Sequence, residues 1–113
     1  MKNIQLTCAH ALIKYLIAQK TLIDGKKVPL FPGVFGIFGH GNVACLGQAL
    51  QENQKDLPTW RGHHEQNMAL TGIAYSRAKR RKQIFVATSS VGPGSTNMIT
   101  AAAVAMSNRI PIL

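Results

Sequence analysis

The feature that most constrains the fold of this chain is the segment QIFVATSSVGPGSTN, in which an apolar run leads into a glycine-proline-glycine turn. Residues 83–90 are rich in β-branched and aromatic side chains, which predicts a strand. Gly92, Pro93 and Gly94 break this strand, and the alanine-rich stretch after them predicts a helix. A strand that passes through a tight turn into a helix is the repeating unit of a parallel sheet covered by helices.

Earlier segments repeat the same order. The apolar run 34–39 lies between glycines and predicts a buried strand, followed by a helix that begins at Asn42, a favourable N-cap residue. A short extended piece at 59–62 precedes a predicted helix at 65–79, and residues 110–113 begin a further apolar strand. The alternation predicts an α/β fold with a parallel sheet flanked by helices.

The N-terminal part of the chain has a different pattern. Apolar residues recur at helical spacing over residues 6–20, which predicts a helix with Thr7 as its N-cap. Asp24, a glycine and two prolines then predict a turn. Cys8 and Cys45 fit no metal-binding spacing, and we expect both to be small core residues in a reducing environment.

Charge is the composition feature that bears most on partners. Thirteen Lys and Arg stand against four Asp and Glu, a formal charge of +9 that would attract phosphate-bearing partners such as nucleic acid. Five of the basic residues lie at 77–82, where no aromatic residues interleave as stacking platforms, and where cations at a helix end complement the helix dipole. We therefore expect no nucleic-acid partner. No apolar stretch is long enough for a membrane span, and we expect a cytoplasmic protein.

Three groups carry candidate chemistry. Glu65 opens a predicted helix, where a glutamate either favours the helix dipole or serves as a proton shuttle whose pKa is raised by burial. His40 lies in the glycine-rich turn FGHGN, at the sheet edge expected for Glu65, where a histidine is either part of a site or simply exposed to solvent or held by a structural hydrogen bond. The Gly92–Gly94 turn lets backbone amides approach a ligand, but it lacks the lysine of a phosphate-binding loop. No histidine spacing supports a metal site.

The turn FGHGN, the segment HHEQNMALTGIAYSR and the segment TSSVGPGSTNMITAAAVAMSNRIPIL, in this order, resemble one known domain. It is the N-terminal, pyrimidine-binding domain of thiamine diphosphate-dependent enzymes of the acetolactate synthase and pyruvate decarboxylase type. Two extra residues in TSSVGPG, together with IFGHGNV and LGQAL, are similar to the branch that hydrolyses a ring carbon–carbon bond of a cyclic dione in myo-inositol catabolism. The resemblance covers residues 1–113 and implies a pyrimidine-binding domain that is incomplete at its C-terminus.

This resemblance implies roles for particular residues. Glu65 would hydrogen-bond the aminopyrimidine ring of thiamine diphosphate and promote the imino tautomer, which takes a proton from the thiazolium carbon. His40 and Asn42 match the turn that faces the reacting centre, which implies a substrate-side position. The ligands of the diphosphate and Mg²⁺ would lie on a second domain with a Gly-Asp-Gly motif, which this sequence lacks.

The resemblance also implies partners. The family's active site forms between two subunits, so we expect a homodimer or homotetramer of the full-length protein, and a fragment that is inactive alone with exposed apolar surface. The substrate would be a small cyclic dione. Three alternatives stay open: a relative that acts on linear 2-keto acids, a non-catalytic relative that keeps the fold and, on charge alone, a small basic nucleic-acid-binding domain.

Overall fold

The computed structural model describes residues 3–113. Its helices and strands alternate along most of the chain. In chain order they are α1 (Cys8–Ala18), β1 (Lys20–Ile23), β2 (Lys26–Pro29), β3 (Val34–Gly36), α2 (Gly39–Asn42), α3 (Gln48–Glu52), β4 (Thr59–Arg61), α4 (Glu65–Ala78), β5 (Val86–Thr88), α5 (Pro93–Thr96) and α6 (Ile99–Asn108), with a π-helical segment, Val43–Gly47, between α2 and α3.

The central sheet has the strand order β4-β3-β5, and both pairings are parallel. In register, Gly36 at the end of β3 pairs with Arg61 of β4 and with Thr88 of β5. The carboxyl ends of the three strands therefore meet at one edge, where the loops that follow them lie side by side. The parallel sheet confirms the predicted fold class, although β5 is shorter than the strand predicted at 83–90.

Helices cover both faces of this sheet, as predicted. On one face α1 and α3 pack against β3 and β5 through a cluster that includes Ile13, Leu50 and Val34. On the other face α4 lies against β3, β5 and α6. Small residues allow this second contact to be close: Ala69 of α4 and Ala101 of α6 are buried in one cluster. The result is a three-layer α/β arrangement.

Several predicted elements are confirmed in place. The structure forms α1, β4 and α4 within the predicted ranges, and Thr7 caps α1, since its hydroxyl accepts a hydrogen bond from the His10 N–H at 3.2 Å. Residues 110–113 form no regular strand but run beside β5: Ala87 N–H donates to the Leu113 carbonyl at 2.8 Å. The predicted strand is thus not formed as a regular strand, but Leu113 makes backbone hydrogen bonds of the kind that a neighbouring strand would make.

Two local predictions are wrong, and one hairpin was missed. The turn predicted at Asp24 is confirmed, but it joins β1 and β2, an antiparallel pair that was not predicted because prolines mask the short strands. The helix near Asn42 begins earlier, at Gly39, and the Asn42 side chain makes a tertiary hydrogen bond in place of a cap. Cys8 and Cys45 are exposed free thiols, since neither lies on a face that packs into the core.

Candidate active site

Glu65 lies at the first position of α4, just past the end of β4. The His64 side chain caps this helix, with Nδ1 accepting a hydrogen bond from the Gln66 N–H at 3.2 Å. A carboxylate in the first turn is stabilised by the positive end of the helix dipole. Glu65 is nonetheless buried, with 9% of its surface exposed, so its position needs more than the dipole to explain it.

One side chain holds the Glu65 carboxylate directly. Asn97, between α5 and α6, donates a hydrogen bond from Nδ2 to Glu65 Oε2 at 2.9 Å. This hydrogen bond, followed by one from the residue's own backbone N–H, lowers the pKa of Glu65 below its ordinary value, although burial acts in the opposite direction. Burial acts in the predicted direction, but the expectation of a raised pKa for Glu65 is wrong in this chain, because hydrogen bonds to the charged form outweigh the loss of water.

The glycine-proline-glycine turn comes within contact distance of this carboxylate. A methyl group added to Gly94 would collide with Ser90 Oγ and would lie 3.2 Å from Glu65 Oε1. The turn is braced internally, with Ser95 Oγ donating to the Ser90 carbonyl at 2.9 Å, and Gly92 has a left-handed φ of 66°. Glycine at position 94 thus allows the turn to pack closely against the carboxylate.

His40 and Asn42 lie at the same edge of the sheet. Asn42 Nδ2 donates to the Ser89 carbonyl at 3.1 Å, which ties the turn after β3 to the turn after β5. The His40 side chain is exposed and lines depressions with Phe38 and Gly39, whereas Glu65 lines a separate one. The structure brings both residues to the predicted edge but shows no contact between them and Glu65.

Arg61 is a residue at this edge that the sequence analysis did not single out. It ends β4 and lines the depression of about 580 Å³ that Glu65 and His63 border, and also the depression of about 310 Å³ that His40 borders. Arg61 is the basic residue that lines both of these depressions. The sequence signal that could have identified Arg61 is its place at the carboxyl end of a short predicted strand.

The edge therefore carries a buried ionised carboxylate and an exposed imidazole that border separate depressions, with the exposed Arg61 bordering one depression of each. Such a set can accept a hydrogen bond from a ligand N–H, bind an anionic or carbonyl oxygen and exchange a proton. Within residues 3–113 no group of three His, Cys, Asp or Glu side chains is placed to hold a metal ion. Over the same range, no helix has the length and apolar character needed to cross a membrane.

Comparison with known proteins gives consistent results. Residues 32–113 match the family model for the thiamine pyrophosphate enzyme, N-terminal TPP binding domain. Over 113 residues the chain is 52% identical to a 3D-(3,5/4)-trihydroxycyclohexane-1,2-dione hydrolase of Geobacillus thermodenitrificans, and 50% identical to those of Clostridium tetani and Bacillus thuringiensis. All of this chain is matched, but it spans only 18% of the length of each relative. No solved structure matches the chain at comparable significance.

Proposed function

This chain belongs to the thiamine pyrophosphate enzyme family, and from that premise we propose that it forms the pyrimidine-binding part of a hydrolase of trihydroxycyclohexane-1,2-dione. Support comes from the relatives, which carry that name and match the whole chain at 50–52% identity. The reaction would open the ring of the dione at a carbon–carbon bond, as part of myo-inositol degradation. Thiamine diphosphate is the same compound as thiamine pyrophosphate.

The observation that carries the proposal is the buried Glu65 carboxylate beside open space at the edge of the sheet. In this proposal, Glu65 accepts a hydrogen bond from the aminopyrimidine ring and holds or returns a proton at that ring. When bound, the cofactor supplies a carbon nucleophile and an electron sink for carbon–carbon cleavage. Gly94 fits this role, since any larger residue there would fill space next to the carboxylate.

We assign His40 and Asn42 to the substrate side of the site. The exposed imidazole of His40 borders a depression with Val91 and Ser90, where it is free to donate a hydrogen bond to a substrate oxygen. Asn42 acts through the turn that it ties to Ser89. Arg61, between the two depressions, would bind a carbonyl or hydroxyl oxygen of the dione.

The proposal requires a second domain. The diphosphate and Mg²⁺ would bind to a domain contributed by a partner subunit, in a homodimer or homotetramer located in the cytoplasm. Apolar side chains on the outer surface of α6 support a further packing partner, because Ile99 is 63% and Met106 is 83% exposed. We propose no nucleic-acid or membrane partner.

Substitution of Glu65 tests the proposal in the complete protein that contains these residues. Glu65→Gln keeps the shape of the side chain but cannot take up a proton, so turnover of the cyclic dione with thiamine diphosphate and Mg²⁺ is expected to fall by about 100-fold or more. The control is Glu52→Gln, the same chemical change on α3, where the carboxylate pairs with His10. This control is expected to keep turnover near wild type.

The outcomes separate the alternatives. Near wild-type turnover in Glu65→Gln would remove Glu65 from the mechanism. Wild-type protein that consumes a linear 2-keto acid but not the dione would place the protein in the acetolactate synthase-like branch. Wild-type protein that shows neither activity and binds no thiamine diphosphate would identify a non-catalytic relative.

A further inference from the structure

We propose that Asn97 is a positioning residue for the Glu65 carboxylate: it holds Oε2 and thereby leaves Oε1 as the oxygen that meets the cofactor. The inference rests on the proposed function, because it concerns the same site. It adds a residue 32 positions away in sequence that reaches the reacting group only through another side chain.

The two carboxylate oxygens have different surroundings. Oε2 accepts the Asn97 hydrogen bond at 2.9 Å, whereas Oε1 lies beside Gly94, where an added Cβ would be 3.2 Å from Oε1 and would collide with Ser90 Oγ. A free carboxylate presents equivalent oxygens and rotates between them. A hydrogen bond to one oxygen removes that equivalence and fixes the plane of the group. Glu65 is therefore oriented before any ligand arrives, which reduces the ordering needed on binding.

The donor is also tied to the fold, through its backbone. Asn97 follows α5, and its backbone N–H donates to the Pro93 carbonyl at 3.1 Å, so its own position depends on the glycine-proline-glycine turn. It precedes α6, which packs against α4 through Ala101 and Ala69. Since α4 carries Glu65 and α6 begins just after Asn97, the packing of the two helices sets the distance between donor and acceptor.

The glycine-proline-glycine turn does more than join β5 to α6, because it also contacts the Glu65 carboxylate. A tight turn between strand and helix needs no contact with another element. Here the turn lies against Glu65 on one side, through Gly94, and its following residue Asn97 binds Glu65 on the other. The strand-turn-helix unit therefore places a hydrogen-bond donor on the catalytic carboxylate, in addition to connecting β5 to α6.

Two variants of the complete protein test the inference. Asn97→Ala removes the donor, and Asn97→Asp keeps the shape but faces the carboxylate with a second negative charge. The first readout is the Glu65 carboxyl pKa, from carbon-13 NMR of protein labelled at the glutamate side-chain carboxyl, with the signal assigned by its loss in Glu65→Gln. We expect the pKa to rise in Asn97→Ala and to rise further in Asn97→Asp.

The second readout is calorimetric binding of thiamine diphosphate in the presence of Mg²⁺. Loss of a hydrogen bond to a charged group is expected to weaken binding by about tenfold or more in Asn97→Ala, with turnover reduced at saturating cofactor. Asn108→Ala is the matched control, because Asn108 lies on α6 and bonds only the Val104 carbonyl through its side chain. It is expected to change neither readout.

Each result decides a separate question. An unchanged Glu65 pKa in Asn97→Ala would overturn the inference whether or not the protein binds cofactor. A raised pKa with unchanged binding and turnover would reduce Asn97 to a structural contact and so overturn it as well. Failure of the proposed function shows differently, since wild-type protein itself would then bind no thiamine diphosphate.

Discussion

At the scale of single residues, the surroundings of Glu65 depend on two neighbours, a glycine that lacks a side chain and an asparagine that donates a hydrogen bond. Gly94 has no side chain where one would touch both Ser90 and Glu65, and Asn97 supplies the one side-chain hydrogen bond that reaches the carboxylate in the described part of the chain. The carboxylate stays ionised because its hydrogen bonds outweigh its burial. A ligand that donates a hydrogen bond therefore meets a charged acceptor.

We predict that Gly94→Ala damages the site through sterics alone. The backbone at Gly94 is not left-handed, so the cost comes from the methyl group meeting Ser90 Oγ and Glu65 Oε1. Overpacking of this kind costs about 1–3 kcal/mol of unfolding free energy, and the shifted carboxylate should weaken thiamine diphosphate binding. Urea denaturation and calorimetry of the complete protein measure the two effects.

Gly41→Ala is the control for this prediction. An added methyl at Gly41 meets no atom within 4 Å, and this residue also has an ordinary backbone conformation. Its cofactor binding should match wild type, and its unfolding free energy should be unchanged or slightly higher, because alanine favours the helical backbone more than glycine does. If Gly94→Ala behaved like Gly41→Ala, the turn would have room to move away from the carboxylate.

The sequence predicted Glu65 but not Asn97, and the reason is physical. A helix start is signalled by neighbouring residues, here the cap residue His64 and the first-turn glutamate, so it can be recognised locally. A hydrogen bond between Asn97 and Glu65 depends on two helices packing at a given distance. Asn42 was predicted as a helix cap because asparagine favours that position, but in the structure its side chain instead makes a tertiary hydrogen bond to Ser89.

At the scale of elements, α4 is the helix that connects the site to the core. It carries Glu65 at its start and packs on the sheet and on α6 along its length. Gly72 illustrates how close this packing is, since a methyl group there would lie 3.2 Å from Ile112 and 3.3 Å from Phe85. The predicted bounds of α4 were nearly right, because the residues at its ends and the spacing of its apolar residues both indicate the same helix. The β1–β2 hairpin was missed because its strands are short.

One side chain of α4 lacks a partner, which leads to a prediction of increased stability. Ser76 is 0% exposed, and its hydroxyl makes no hydrogen bond to any group within residues 3–113. Ser76→Ala removes an unsatisfied polar group and improves helix propensity, so the unfolding free energy should rise by about 1 kcal/mol. Ser107→Ala on α6, at an exposed position, is the control and should gain only the propensity difference of a few tenths of a kcal/mol.

Chemical denaturation of both variants in the complete protein measures these differences. A loss of stability in Ser76→Ala would show that the hydroxyl has a partner in solution, for example a buried water, which the alanine cannot replace. Equal gains in both variants would mean that helix propensity alone accounts for the change.

At the scale of the whole molecule, carboxylates are scarce and two of them join separate elements. His10 Nε2 lies 2.8 Å from Glu52 Oε2, which links α1 to α3 on one face of the sheet. Glu65 links α4 to the segment between α5 and α6 on the other face. With a formal charge of +9, the chain has few anions with which to balance its own repulsion, so the state of these two groups affects the entire fold.

The last prediction concerns acid. Hydrogen bonds from His10 and then Gln48 lower the pKa of Glu52, and the bond from Asn97 lowers that of Glu65, each from an ordinary value of 4.5. A carboxyl whose pKa is lower in the folded state contributes stability that is fully present above its unfolded pKa and lost as pH falls through the folded pKa. Stability should therefore be constant near neutral pH and decline below about 4.5, with proton uptake on unfolding.

The measurement is the unfolding free energy of the complete protein across an acid pH series, for wild type and for a variant with both Glu52→Gln and Glu65→Gln. Glutamine does not titrate, so the double variant should be less stable near neutral pH but should lose less stability on acidification, and the two curves should converge. Parallel curves would show that neither carboxylate is held more tightly in the folded state than in the unfolded chain. The same series on Glu52→Gln and Glu65→Gln separately assigns the effect: convergence with wild type in only one of them would place the acid sensitivity on one face of the sheet.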